Sequence, residues 1–275
     1  MPELPEVETV VKSLRNLLNK PTISEVLVYW DKIIANQSVT DFQRLLKNQT
    51  IKKIERQGKY IIVKLTDYTL LIHLRMEGKF YYYKKPVLKE KHSYVIFKFT
   101  NQSELHYHDT RKFGKMYLYH KSEPLLALNN LGLEIWDRAM SPVYLKDKFK
   151  NKSLAIKSAL LDQSIIAGIG NIYASEICFL LKLDPLTPAK NLNLKQLEQL
   201  IIVTKDVLER AIVAGGTTIS SFESSKGVSG YFQQQLYVYQ REGEACRICG
   251  TTLLKRKINQ RGTVYCPTCQ KVDPI

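Results

Sequence analysis

Gly58-Lys59-Tyr60-Ile61-Ile62-Val63-Lys64-Leu65-Thr66-Asp67-Tyr68-Thr69-Leu70-Leu71-Ile72-His73-Leu74 sets the architecture of the first half of the chain. Two short runs, Lys59 to Leu65 and Thr69 to Leu74, are rich in β-branched and aromatic residues. Gly58 and Asp67 bound them as turn signals, so both predict strands. Outward from here, Ile23 to Trp30, Tyr94 to Phe99 and Phe113 to Tyr119 have the same character, punctuated by Gly78 and Asn101. Val95, Phe97 and Phe99 alternate with Tyr94, Ile96 and Lys98, the period of a strand with two unlike faces. Residues 20 to 120 therefore predict an antiparallel sandwich or flattened barrel.

A helix precedes this region. Pro5 suits the first turn of a helix, and Glu6 and Glu8 are favoured by the positive end of its dipole. Val7, Val10 or Val11, Leu14 and Leu17 or Leu18 form an apolar stripe that predicts packing against the sheet. From about residue 125 the period changes. Leu145 to Leu161, Asn171 to Leu181 and Leu194 to Val213 carry helical spacing, the last with Leu197, Leu200, Ile201, Val207, Leu208, Ala211 and Ile212 on one face. Pro124, Gly132 and Pro142 mark the passage between the two patterns. The expected fold is multidomain α+β: an N-terminal β-sandwich with its helix over residues 1–130, a linker over 131–145, a helical region over 146–236 and a small module over 237–275.

The small module has its own signature, Cys246-x2-Cys249-x16-Cys266-x2-Cys269. Two Cys-x-x-Cys knuckles at this distance predict one structural zinc ion held by four thiolates, with no open position for water. The interval reads as a hairpin, Thr251 to Ile258 and Thr263 to Tyr265, around Asn259-Gln260-Arg261-Gly262. It is too small for a core of its own and needs the metal. Cys178, on the apolar face of a helix, reads as core.

The chain has 275 residues, room for two domains with real cores. Its 41 Lys and Arg against 26 Asp and Glu give a formal charge of +15, which points to a polyanionic partner, nucleic acid ahead of an acidic membrane surface. No run approaches 18 apolar residues, so no membrane span is expected. Four of the five Cys lie in the last 30 residues, unlike a distributed disulfide framework. With no signal peptide, a cytoplasmic protein is expected.

The first ten residues run against the overall charge, with three acids and no base. Removal of the initiator Met before Pro would leave Pro2 as a secondary amine. An α-amino group titrates near ~8, so much of it is an unprotonated nucleophile at neutral pH. Captured on a sugar aldehyde carbon it gives a charged iminium, an electron sink, and Glu3 lies beside it as acid or base. A start codon followed by an ordinary capped helix is the plain alternative. In isolation Lys59 reads as a solvated charge, His73 as a strand-face histidine, and Met76 and Phe113 as core with Arg111 on the surface. In Ile165 to Ser175, Gly168 and Gly170 predict a tight turn and Asn171 an N-cap, either a phosphate site or a simple connection. Gly215 to Gly230 is a long Gly/Ser/Thr-rich loop, functional or merely connecting.

Met1-Pro2-Glu3-Leu4-Pro5-Glu6-Val7-Glu8-Thr9 resembles the opening of the formamidopyrimidine-DNA glycosylases, bacterial enzymes of base-excision repair. The motifs above agree with that family in order and spacing across nearly the whole chain. The resemblance implies a bifunctional DNA glycosylase and AP lyase that removes 8-oxoguanine and formamidopyrimidines. It further implies Pro2 as Schiff-base nucleophile, Glu3 as proton donor, Lys59 in β-elimination and Arg261 in δ-elimination. His73, Asn171 and Arg261 would contact phosphates, Met76, Arg111 and Phe113 would fill the emptied stack, and residues 215–230 would close over the everted base. The partner would be duplex DNA containing oxidised purines or abasic sites, bound in a cleft between the domains by a cytoplasmic, nucleoid-associated monomer. The family usually carries Ala-Gly where this chain has Asn259-Gln260. Two rivals stand beside this reading: an endonuclease VIII-like enzyme preferring oxidised pyrimidines, and a catalytically silent zinc-finger DNA-binding protein. Leu4 and the run Arg111-Lys112-Phe113-Gly114 favour the formamidopyrimidine-DNA glycosylase over both rivals.

Overall fold

The computed structural model describes residues 1–150, 153–217 and 231–271. The chain divides into two compact units, Met1–Asn129 with Gly215–Gly230, and Asn130–Ala214 with Tyr231–Ile275. Among the described residues, no helix is long and apolar enough to cross a membrane.

The first unit opens with α1 (Leu4–Leu17), followed by β1 (Ile23–Val28), α2 (Val39–Leu46), β2 (Lys53–Gln57), β3 (Tyr60–Lys64), β4 (Tyr68–His73), β5 (Lys79–Tyr83), β6 (Ser93–Phe99), β7 (Glu104–His108) and β8 (Lys115–His120). Two four-stranded antiparallel sheets result, ordered β1-β6-β7-β5 and β2-β3-β4-β8. One core joins them, with Val26, Val95, Phe97 and Leu105 from the first sheet and Ile54, Ile61, Val63, Leu70 and Ile72 from the second. Val7, Val10, Val11 and Leu14 of α1 enter the same core. Fully burying each such side chain stabilises the fold by ~1.5–3 kcal/mol, so the helix is held by packing more than by its own propensity. The expected β-sandwich with an N-terminal helix is what the chain forms.

Two sequence expectations change here. The strand foreseen from Phe113 begins at Lys115, because buried Asp109 turns the preceding residues into a loop. Inside the stretch read as mostly strands, Ser38 caps α2 through the Asp41 N–H and buries Phe42 and Leu46.

The second unit contains α3 (Pro142–Phe149), α4 (Ile156–Leu161), α5 (Asn171–Leu180), α6 (Leu194–Val213), β9 (Leu254–Ile258) and β10 (Arg261–Tyr265). The helix expected from Leu145 to Leu161 is two helices. Ala155 is extended and bridges to Pro188, and the Ile156 and Lys157 N–H groups donate to Thr187 and Pro185 carbonyls, so the chain is spliced into a neighbouring segment where a continuous helix would run. The α6 bounds match the expectation, and an Asn193/Gln196 capping box starts it. A helical core including Ile156, Leu160, Tyr173, Ile177, Leu197, Leu200 and Leu208 fills this unit. The hairpin has a separate small core of Phe179, Val238, Cys246, Leu253, Val264 and Cys266.

Candidate active site and nucleic-acid interface

In the first unit, α1 begins immediately after Glu3, so Pro2 stands directly ahead of the N-cap. Pro2 is partly exposed and Glu3 is buried. The Glu3 N–H donates to Glu6 Oε2 at 2.9 Å, fixing the backbone next to Pro2. Glu6, itself buried, also accepts through Oε1 from the N–H and hydroxyl of Thr217 at 2.9 and 3.1 Å. Gly216 adopts φ +79°, and a Cβ there would fall 2.7 Å from Glu6 Oε1. One carboxylate therefore ties the N-terminus to the start of the loop expected over 215–230, which from residue 218 lies outside the described residues. Sequence reasoning assigned Glu6 only a dipole role. The Glu3-x-x-Glu6 spacing of a capping box was the available signal.

The β2–β3 turn is fixed to the same helix. Glu8 accepts from Arg56 Nε at 2.9 Å, and the Arg56 guanidinium donates onward to the Gly58 carbonyl at 3.0 Å. Gly58 takes φ 56°, so a two-residue turn delivers Lys59 at the head of β3. Lys59 is buried, not the solvated charge of a lone strand-start lysine. His73 pairs with Tyr60 across the ladder, their rings edge-on at 4.7 Å. Burial, with Arg75 and Lys59 adding to it, depresses the His73 pKa to about 3. The Arg75 N–H donates to His73 Nδ1 at 3.0 Å. That bond makes Nδ1 the acceptor and leaves the proton on Nε2, so His73 is a neutral donor suited to an anionic oxygen.

The neutral imidazole carries a stability cost in acid. The folded pKa of about 3 lies below the unfolded value of 6.5, so the folded state binds fewer protons. Stability is complete above pH 6.5 and declines as pH falls through that value toward 3. At pH 5 the loss is about 2 kcal/mol. In a Trp136→Phe background, urea unfolding followed through Trp30 should show it. The stability difference between this protein and its His73→Gln variant should shift by about that amount in favour of the variant between pH 7.5 and 5. An unchanged difference would mean that His73 protonates freely in the fold.

Two loops project from the β4–β5 and β7–β8 connections. Buried Asp109 accepts the Arg111 N–H at 3.1 Å and the Gly114 N–H at 2.7 Å, closing the Thr110–Phe113 turn, in which Lys112 has φ 59°. Gly78 and Gly114 both press on the Tyr107 hydroxyl, where an added Cβ would sit 2.3 and 1.7 Å away. The Thr110 hydroxyl also donates to Glu77. Met76, half-buried, belongs to the β4–β5 loop that Glu77 ties to Thr110. Phe113 is 50% exposed and Arg111 lies 5.0 Å from its ring centroid, so neither belongs to the core.

In the second unit, the Gln163 side chain spans the turn before α5, accepting from the Gly168 N–H at 3.0 Å and donating to the Ile169 carbonyl at 2.8 Å. Gly170 is the N-cap, one position before the expected Asn171, which is instead the first helical residue. Its side chain is therefore not spent on capping, and Asn171 Nδ2 donates to the Gly262 carbonyl at 3.4 Å. Lys157, fully buried, donates to Thr263 Oγ1 at 2.7 Å and the Gly262 carbonyl at 3.3 Å. Arg261 lies exposed at the start of β10, after the two-residue turn Asn259–Gln260. The structure thus joins Asn171 and the Arg261 hairpin. Lys157 is a member of this group that sequence reasoning missed, since a buried lysine leaves no periodic signature.

All four thiol sulfurs of Cys246, Cys249, Cys266 and Cys269 lie within 4.8 Å of one another. Cys246–Cys269 and Cys249–Cys266 are 3.9 and 3.5 Å apart. These distances are too long for disulfides and near the ~3.8 Å edge of a tetrahedron with ~2.3 Å zinc–sulfur bonds. Thr251 holds the Cys249 thiol down to about 6, while burial pushes Cys266 and Cys269 up. Four crowded thiolates need a cation, and this set fits zinc.

Comparisons with known proteins agree over the whole chain. The family model described as formamidopyrimidine-DNA glycosylase N-terminal domain matches residues 1–116, and the corresponding H2TH domain matches 131–223. A zinc finger found in FPG and IleRS matches 243–272, and the four cysteines are its structural zinc site. The formamidopyrimidine-DNA glycosylase of Bacillus cereus is 41% identical over 273 residues, covering 98% of this chain and 99% of the relative. That of Exiguobacterium sibiricum is 43% identical over 275 residues, covering 99% of each. Among solved structures, Lactococcus lactis Fpg in complex with abasic-site DNA has TM-score 0.90 and 32% identity, covering 98% of this chain and 99% of that one. A variant of the same protein with Fapy-dG-containing DNA has TM-score 0.91, 32% identity, and covers 98% and 100%.

Proposed function

Because the chain belongs to the formamidopyrimidine-DNA glycosylase family, and so is a DNA glycosylase of base-excision repair, we propose that it removes oxidised purines from duplex DNA through a Schiff base on Pro2 and then cuts the strand. After loss of Met1, the Pro2 nitrogen attacks C1′ and displaces the damaged base; the C1′–O4′ bond then breaks to give the ring-opened iminium, with Glu3 supplying a proton to the leaving base or to O4′. Loss of a C2′ proton from the resulting iminium expels the 3′ phosphate, with Lys59 assisting. A second elimination, losing the C4′ proton with Arg261 assisting at the phosphate, expels the 5′ phosphate. The observation that carries this reading is the placement of partly exposed Pro2 directly before buried Glu3, whose backbone Glu6 locks. In this reading residues 1–130 are the catalytic region, 131–145 a linker, 146–236 the phosphate-binding helices and 237–275 the zinc finger.

The test is borohydride reduction of the protein mixed with a duplex carrying 8-oxoguanine opposite cytosine. A covalent adduct mapping to Pro2, with doubly cleaved strand when borohydride is omitted, is expected. No adduct on any oxidised purine, oxidised pyrimidine or abasic duplex would leave only a DNA-binding protein.

The contacts divide by what they report. Arg261, Lys59, Asn171 and neutral His73 are assigned to phosphates, which carry no lesion information. Met76, Arg111 and Phe113 are assigned to the stack. Arg261→Ala should weaken binding to damaged and intact duplex alike and lower the log–log salt slope by roughly one. Phe113→Ala should leave that slope unchanged and erode lesion discrimination, since a wedge offsets the few kcal/mol of unstacking. The loss should shrink on an abasic duplex, where no base is extracted. Titration at several salt concentrations checks this, and a slope change for Phe113→Ala would remove it from the stack.

A further inference from the structure

The hairpin tip that carries Arg261 is built against local preference. Ile258 pairs directly with Arg261, so the turn has two central residues, Asn259 at φ 44° and Gln260 at φ 62°. Both angles are left-handed, where glycine is at ease, asparagine is tolerated and glutamine is strained. Neither residue is glycine, so the chain must hold this turn by other means. The Asn259 side-chain amide donates to Ser158 Oγ at 2.7 Å. Ser158 is buried on α4, and its neighbour Lys157 reaches Thr263 and the Gly262 carbonyl on the other side of Arg261. Two consecutive side chains of one helix therefore grip the hairpin before and after Arg261.

We propose that Asn259 and Ser158 form a positioning pair that sets the direction of Arg261. The pair does the work that a glycine turn would leave to the backbone alone. It acts through Arg261, touches no reacting atom, and rests on the reading of Arg261 given above. Its bond lies outside the metal site, so its loss should change neither zinc content nor the charge presented to DNA.

Asn259→Gly is the clean variant, because glycine accepts φ 44° and only the amide is lost. Ser158→Ala removes the other partner, and Ser158→Thr keeps the hydroxyl. Each zinc-loaded protein is incubated with duplex containing a preformed abasic site, and singly and doubly eliminated products are resolved. Asn259→Gly and Ser158→Ala should each lower the ratio of doubly to singly eliminated product by roughly twofold to tenfold, the worth of one hydrogen bond. The double variant should be no worse than either single one, as for two halves of one contact. Ser158→Thr should keep the parental ratio, and all variants should keep one zinc. A parental ratio in Asn259→Gly, or additive losses in the double variant, would overturn the pair. Arg261→Ala separates the two levels. Should it leave products and affinity unchanged, the role of Arg261 fails and the pair's role with it. Should it act while the pair variants do not, only the pair fails.

Discussion

Protein retaining Met1, or carrying any residue ahead of Pro2, is expected to bind lesion-bearing duplex normally and to release almost no base. An acylated proline nitrogen is an amide, with its lone pair delocalised into the carbonyl, and it cannot attack C1′. The free secondary amine titrates near ~8 and is substantially unprotonated at neutral pH. Removing a nucleophile outright costs on the order of 10³-fold or more in rate. Binding should survive because the proposed phosphate contacts and the Arg111–Phe113 loop do not depend on that nitrogen. Single-turnover excision by two preparations, one beginning at Pro2 and one with a blocked terminus as verified by mass, measures the difference. Glu3→Gln completes the test. Removal of 8-oxoguanine should be blocked while cutting at a preformed abasic site is largely spared, because that substrate needs no leaving-group proton. Parental excision by the blocked protein would falsify the Pro2 mechanism.

How far the sequence carried this account depends on what each residue type can signal locally. The zinc knuckles were fully legible, since four thiols at fixed spacing have few other uses. The β3 and β4 strands were legible as β-branched and aromatic runs bounded by turn signals, and α6 because its apolar residues repeat at the helical period. β2 and β7 were not, because Lys53–Gln57 and Glu104–His108 are rich in polar residues, several of them buried in partnered positions such as His106 on Glu104. The inserting residues were legible only through the family resemblance. Alone, Phe113 read as core, and its exposure follows from the Asp109 carboxylate holding two backbone N–H groups some residues away. The distant partners of Glu6 and Lys157 were missed for the same reason. Each bridges segments roughly a hundred residues or more apart, Glu6 to Thr217 and Lys157 to Thr263, and no local pattern records such a partner.

Removing zinc should produce the second large effect, confined to the finger. Cys266→Ser takes away a buried ligand whose neighbours, Cys246, Leu253 and Val264, make up much of the hairpin's small core. Structural zinc contributes roughly 10–16 kcal/mol of binding free energy that such a module uses to fold. Three remaining thiols are a poor substitute, so the variant should purify without metal and lose hydrogen-exchange protection across Leu254–Tyr265. The helical core of the second unit is a separate cluster and should persist, so far-UV circular dichroism should change little. Arg261 would then be unplaced, and DNA affinity should fall about tenfold to a hundredfold, the worth of one charged hydrogen bond. Acid should reproduce the effect in the unaltered protein. Zinc holds its ligands as thiolates, so protons compete with the metal for those sulfurs as pH falls and zinc is released together with tight binding. Elemental analysis, hydrogen exchange and duplex titration on the same samples decide the matter. A metal-free preparation that binds lesion duplex as tightly as the zinc-loaded protein would show that the finger does not hold Arg261 in place.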